Sequence, residues 1–191
     1  MRIVGGKQAG RHLTSPADKQ VRPTQEHVRD ALLTYLQPRL KGARVLDLFA
    51  GTGALGLEAI SRGAAKADFV ENRPASLHAL KANVAALHYR EKTRIFKKDA
   101  LPFAEALEPY AYDLAFCDPP YESKMLDRLI DIWLRTPFAG LLVCEHALTH
   151  ELPPGGAMRQ MDDTTAISIY KAPDLPPAVE AEAEGLGSSG R

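Results

Sequence analysis

A chain of 191 residues with 45% hydrophobic and 25% charged residues has the make-up of one ordinary globular domain, which excludes a disordered or fibrous protein and needs no disulfide or metal to hold a core. Formal net charge is zero, yet residues 1–44 carry nine Lys/Arg against three Asp/Glu, residues 45–172 fourteen against seventeen, and residues 173–191 one against four. No apolar stretch approaches the ~18 residues of a membrane span, and Gly5-Gly6 interrupts the first apolar run too early for a secretion signal. Cys117 and Cys144 stand far apart with no ligand spacing, as plain core residues of a reducing, cytoplasmic compartment would.

In chain order, residues 1–41 read as a basic extension. Segments 2–4 and 11–13 pair as a β-hairpin across a glycine-rich turn, and a helix starts at Thr24, whose hydroxyl suits an N-cap. Val28, Ala31, Leu32, Tyr35 and Leu36 form the stripe by which this helix docks. From 42 to 172, apolar runs of strand length alternate with helix-period segments. Strands are predicted at 43–49, 67–71, 93–97, 113–117, 141–145 and 164–170, and helices at 54–62, 74–87, 101–107 and 124–134. Such alternation predicts a doubly wound α/β domain, Rossmann-like, with a mostly parallel sheet. Residues 173–191, with three Pro, three Gly and repeated Glu-Ala pairs, read as a solvated tail with at most a short helix over 178–184.

The first predicted strand runs into Asp47-Leu48-Phe49-Ala50-Gly51-Thr52-Gly53-Ala54-Leu55-Gly56, a GxGxxG that opens a helix. With Glu71 twenty residues beyond Gly51, the spacing is that of a dinucleotide-binding turn. Asp47 weighs against that ligand, because a carboxylate beside a pyrophosphate is unfavourable. It suits a ligand bearing an ammonium and a sulfonium, so the turn through Phe49, Ala50, Gly51, Thr52 and Gly53 reads better as a seat for S-adenosylmethionine than for NAD. Glu71, with Asn72 beside it, then takes the ribose hydroxyls. Asp99 either meets an adenine amino group beside the Ala100 backbone N–H or simply caps a helix.

The second constellation is Asp118-Pro119-Pro120-Tyr121, directly after the fourth predicted strand. Paired prolines cannot continue a strand and make a rigid lip at its carboxyl end. Asp118 and the Pro119 carbonyl offer two acceptors to an exocyclic amine, and Tyr121 offers a ring on which a base can stack. An aromatic amine is a poor nucleophile, so acceptors that favour a more tetrahedral nitrogen and stabilise its growing positive charge act in the transition state.

These motifs resemble a known family. VLDLFAGTGALGLEA (45–59), FVEN (69–72) and DPPY (118–121) are similar to Rossmann-type methyltransferases of exocyclic amines. MRIVGGKQAGRHL and RPT (22–24) narrow the resemblance to the bacterial RsmD family, over residues 1 to about 170. It implies S-adenosylmethionine as cofactor and N2 of a guanine in 16S ribosomal RNA as methyl acceptor, free or within a small subunit or assembly intermediate. The chain departs from the family in having Leu33-Thr34 where members often show Phe-Asn, and in its acidic tail.

Arg2, Lys7, Arg11 and Arg22 are the cations expected to meet RNA phosphates, and a base held in a helix must be unstacked to reach the lip. His146 and His150 straddle a strand end and imply no metal site, and no metal is needed for this chemistry. With no evident surplus apolar face, a monomer is the expected state. Other readings are a methyltransferase of an adenine N6 or cytosine N4 amine, an NAD-dependent oxidoreductase built on the same glycines, and a noncatalytic RNA-binding assembly factor.

Overall fold

The structure, a computed structural model, describes residues 1–16, 26–119 and 124–174. Its strands are β1 (Arg44–Leu48), β2 (Lys66–Val70), β3 (Thr93–Phe96), β4 (Tyr112–Cys117), β5 (Ala139–Ala147), β6 (Ala157–Gln160) and β7 (Thr165–Lys171), joined in one sheet of order β3-β2-β1-β4-β5-β7-β6. The first five are parallel; β7 runs antiparallel between β5 and β6. The helices are α1 (Glu26–Tyr35), α2 (Gln37–Leu40), α3 (Ala54–Ser61), α4 (Pro74–Ala86), α5 (Ala100–Glu105) and α6 (Met125–Arg135). The doubly wound expectation holds, with each predicted strand and helix of residues 42–172 present within two residues of its expected ends.

Both faces of the central strands are covered, which is why those strands read as unbroken apolar runs. Val45, Phe69, Leu114 and Phe116 point into one apolar cluster with Leu57 of α3 and Leu80 and Val84 of α4. Leu46, Leu48, Val70 and Ala115 point into the other with Leu129, Ile130 and Trp133 of α6. Cys117 and Cys144 are buried free thiols, neighbours in the β4–β5 register.

The extension packs into the first cluster through Ile3, Leu13, Leu32, Leu33 and Leu36. Its hairpin is looser than predicted. In place of two strands there is one isolated bridge, Arg2 with His12, closed by a 3-10 turn at Gly6–Gln8 and by bonds from the Ile3 amide to the Arg11 carbonyl (2.9 Å) and the Leu13 amide to the Met1 carbonyl (3.0 Å).

The docking stripe of α1 also differs. Ala31 and Tyr35 are exposed, and the buried face is Val28, Arg29, Leu32 and Leu33. The helix is turned because Arg29, fully buried, places Nε 2.7 Å from Oε2 of the equally buried Glu58 on α3. Glu58 Oε1 also accepts from the Gly5 amide (3.1 Å) and from Arg62 Nη2 (2.9 Å). Leu33, at the first of the two departures from the RsmD pattern, is a core residue, and Thr34 Oγ1 accepts from Arg62 Nη1 at 3.2 Å. The expectations for Arg22, Thr24 and the tail beyond 174 lie outside the described residues, as do those for Pro120 and Tyr121.

Candidate active site

Strands β1 and β4 are neighbours although three βα units separate them in sequence, and such a reversal of strand order opens a crevice at the carboxyl ends. Their pairing ends at Leu48 with Cys117, so residues 49–53 and 118–119 leave the sheet side by side. A cleft of about 890 Å³ lies there, lined by Asp47, Gly51, Glu71 and Asp99 on one side and by Asp118 and Pro119 on the other. Phe49, Ala50, Thr52, Asn72 and Ala100 also line it, as do Met1 and the cations Arg73, Lys98 and Arg128.

The glycine turn is built from backbone shape. Phe49, Gly51 and Gly53 have φ of 62°, 56° and 79°, and the Gly53 amide closes the turn onto the Ala50 carbonyl at 2.7 Å. A side chain at Gly53 would be both strained and blocked, since its Cβ would stand 2.4 Å from Leu80 Cδ1. At Gly56 a Cβ would lie 2.5 Å from Phe69 Cε1, so this glycine lets α3 press against the sheet. A Cβ at Gly51 would meet only the Phe49 carbonyl, 4.0 Å away, leaving the cleft side of the turn clear.

Asp47 is buried, and its Oδ2 accepts from the Gly56 amide at 3.0 Å. Burial pushes its carboxyl up to about 8; the Gly56 amide opposes the shift and the nearby Glu71 charge adds to it. A cation beside it would oppose this shift.

Glu71 is buried as well. Its Oε2 accepts from the Gly51 amide at 2.8 Å, while Oε1 accepts from the amides of Asn72 (2.9 Å) and Arg73 (2.8 Å), with Arg73 Nε at 3.4 Å. Oε1 is therefore filled, and Oε2 keeps a lone pair for one further donor. Asp99 occupies the N-cap position of α5 but makes no side-chain cap bond; its Oδ1 accepts from Asn72 Nδ2. Asp118 is half-buried and Pro119 buried.

The cations assigned to RNA are largely engaged within the chain. Arg2 Nε lies 3.2 Å from Glu26 Oε2, and Arg11 Nη2 donates to the Ala86 carbonyl at the end of α4 at 2.9 Å. Lys7 sits exposed on the 3-10 turn. His146 is buried with Nε2 2.9 Å from Ser168 Oγ, and burial lowers its pKa; His150 Nε2 lies 2.9 Å from Asp127 Oδ1. Among the described residues no group of three His, Cys, Asp or Glu is placed to hold a metal ion, and no helix is long and apolar enough to cross a membrane.

Sequence reasoning passed over Asn83 of α4. It is buried directly behind the glycine turn, and its Nδ2 donates to the Thr52 carbonyl at 3.0 Å. Nothing local marks it, because its partners are distant in the chain.

Comparison with known proteins places this architecture. A family model described as "Conserved hypothetical protein 95" matches residues 1–170. The chain belongs to this family, that of the RsmD-type methyltransferases. It is 33% identical over 181 residues to "Putative rRNA methyltransferase YlbH" of Bacillus subtilis, covering 90% of this chain and 98% of that one. It is 38% identical over 132 residues to "Ribosomal RNA small subunit methyltransferase D" of Escherichia coli K12, covering 69% and 66%. A solved hypothetical protein of Thermus thermophilus superposes with a TM-score of 0.77 at 34% identity, covering 90% of this chain and 99% of that one.

Proposed function

We propose that the chain is an S-adenosylmethionine-dependent methyltransferase acting on the exocyclic N2 amine of a guanine in 16S ribosomal RNA. The observation that carries this reading is the shared cleft, in which the glycine turn and the Asp118-Pro119 corner face one space. The RNA class rests on the relatives named for ribosomal RNA methylation.

The residues present fit the cofactor. Gly51 leaves room at the turn, and Glu71 Oε2 has a lone pair free for a ribose hydroxyl. Asp47 is a buried acid that gains from a nearby cation, which the amino-acid end of the cofactor provides. Asn72, Asp99 and Ala100 line the end of the cleft suited to an adenine. When bound, S-adenosylmethionine supplies a methyl group on a sulfonium, whose departure leaves a neutral thioether.

The chain's own residues prepare the acceptor. The Asp118 carboxylate and the Pro119 carbonyl accept the two N–H groups of the amine, drawing its lone pair out of conjugation with the ring. As the new N–C bond forms, the nitrogen becomes positive and the adjacent carboxylate stabilises it. The surplus proton then passes to Asp118 or to water, leaving a neutral secondary amine.

Transfer of tritium from labelled S-adenosylmethionine into naked 16S RNA and into small subunits tests the reading. Asp118→Ala is expected to lower transfer about a thousandfold, while S-adenosylhomocysteine affinity stays within about threefold. Full activity in that variant overturns the mechanism, and binding of NAD in place of S-adenosylhomocysteine overturns the activity.

A further inference from the structure

The geometry points to Asn83 as a positioning residue that joins the seating of the N-terminal extension and the shape of the glycine turn into one equilibrium, so that cofactor binding and docking of the extension strengthen each other. This inference rests on the methyltransferase reading and adds to it a coupling between the cofactor seat and the extension.

Asn83 is 1% exposed and does not line the cleft. A primary amide has an acceptor oxygen and two N–H donors to satisfy, and here each is used on main chain. Oδ1 accepts from the Thr14 amide at 2.7 Å, and Nδ2 donates to the Thr14 carbonyl at 3.0 Å and to the Thr52 carbonyl at 3.0 Å. Toward Thr14 the side chain offers the same donor and acceptor pair that a neighbouring strand would. Toward Thr52 it holds the turn. The arrangement is self-consistent, because turning the amide over would set N–H against N–H and oxygen against two carbonyls.

Each end of this link belongs to a different functional part. Thr52 is buried, and its carbonyl shares a peptide plane with the Gly53 amide that closes the turn onto Ala50. Rotation of that plane therefore moves the turn on which the cofactor is to sit. Thr14 belongs to the extension, which α3 also holds, Glu58 accepting from the Gly5 amide at Oε1 and from Arg29 at Oε2, and Ser61 Oγ accepting from the Gln8 amide at 2.9 Å and donating to the Gly5 carbonyl at 2.6 Å. When the extension lifts, Asn83 loses two of its three partners and is free to leave the third; the buried Thr52 carbonyl then lacks its donor. When a ligand fixes residues 49–53, the same amide is held in the orientation that receives Thr14. Coupling of this kind is reciprocal, so a docked extension also favours the cofactor.

Amide hydrogen exchange on the full chain, with and without saturating S-adenosylhomocysteine, is the test, in the wild-type protein, Asn83→Ala and Asn83→Asp. Asn83→Asp keeps the acceptor for Thr14 and removes both donated bonds. In the wild type the ligand should slow exchange at Thr14 about tenfold, although Thr14 lies outside the cleft. In both variants the ligand should still slow Gly53 while Thr14 no longer responds. The KM for S-adenosylmethionine should rise about tenfold, with kcat changed less than about threefold.

A merely structural role predicts faster exchange throughout, including Leu142 in β5, with the response of Thr14 retained. That result overturns the inference, as does a wild-type Thr14 that ignores the ligand. The ligand-free arm stands apart: Asn83→Ala should speed exchange at both Thr14 and Gly53 while leaving Leu142 unchanged. If the wild type binds no S-adenosylhomocysteine, the methyltransferase reading falls, and the ligand-free arm still decides whether Asn83 links the two parts.

Discussion

In the extension, Arg29 meets Glu58 in a fully buried pair, Arg62 bridges Glu58 and Asp30, and Arg11 closes the end of α4. In the cleft, Asp47 and Glu71 are as deeply buried, yet their partners are backbone amides of the glycine turn and its neighbours, apart from the half-exposed Arg73 beside Glu71. The extension thus meets its buried charges with opposite charges, and Arg11 with a carbonyl. The cleft holds acids that a cationic or hydroxyl-bearing ligand can still engage. An excess of charge in one stretch of sequence is therefore no map of where a partner binds. What matters is whether each charge already has a full complement inside the fold.

Four experiments test this contrast. The largest effect is expected from Arg29→Ala, which removes one member of a buried pair. Such losses cost about 3–5 kcal/mol, and Arg62 remaining beside Glu58 keeps the figure near the lower end, read as a drop in the urea midpoint. A change below about 1 kcal/mol would place the pair among surface bridges. Next, Glu71→Ala should weaken S-adenosylhomocysteine about 10- to 100-fold by calorimetry, the loss of hydrogen bonds to a charged acceptor. Unaltered affinity would detach Glu71 from the cofactor.

The third concerns pH. Asp47 keeps its proton up to about 8 in the folded chain, whereas the unfolded chain releases it near the ordinary 3.8. The folded state binds the extra proton between those values, so this residue's contribution to stability falls as pH rises through that window. A ligand ammonium reverses the preference. S-adenosylhomocysteine binding at pH 7 should release a proton, visible as a buffer-dependent heat, and affinity should climb as pH approaches 8. In Asp47→Asn the proton release should vanish and Tm should lose that part of its pH dependence; equal release in the variant assigns the proton elsewhere. The smallest effect is expected from Arg2→Ala. Its bridge to Glu26 is exposed, so stability should change by less than about 1 kcal/mol. The KM for RNA should rise by no more than about threefold, because Arg2 already has a partner. A larger rise with an altered salt slope would return the extension's cations to the RNA side.

The parts of the molecule that were legible are those whose cause is local. Buried parallel strands need continuous apolar runs, and the turn needs glycine at 53 for its positive φ and at 56 for the close approach of Phe69. Strand β6 escaped because its four residues are all exposed and carry no alternation. On α1, Val28 and Leu32 were legible, but Arg29 was not, because a fully buried arginine looks like a surface residue until its partner Glu58, 29 positions away, is known. Asn83 was invisible for the same reason, its partners lying 69 and 31 positions away. Glu71 was found, but not its bond to the Gly51 amide, which follows from how β1 and β2 align.

The two outermost strands carry one more consequence. Both β3 and β6 are four residues long; β6 bears Arg159, whereas Arg94 of β3 is paired with Asp68 of β2. Strands this short at the edge make poor templates for another chain's backbone, and Arg159 adds a charge at the β6 margin. The sheet can therefore stay open at both margins without inviting lateral growth into aggregates.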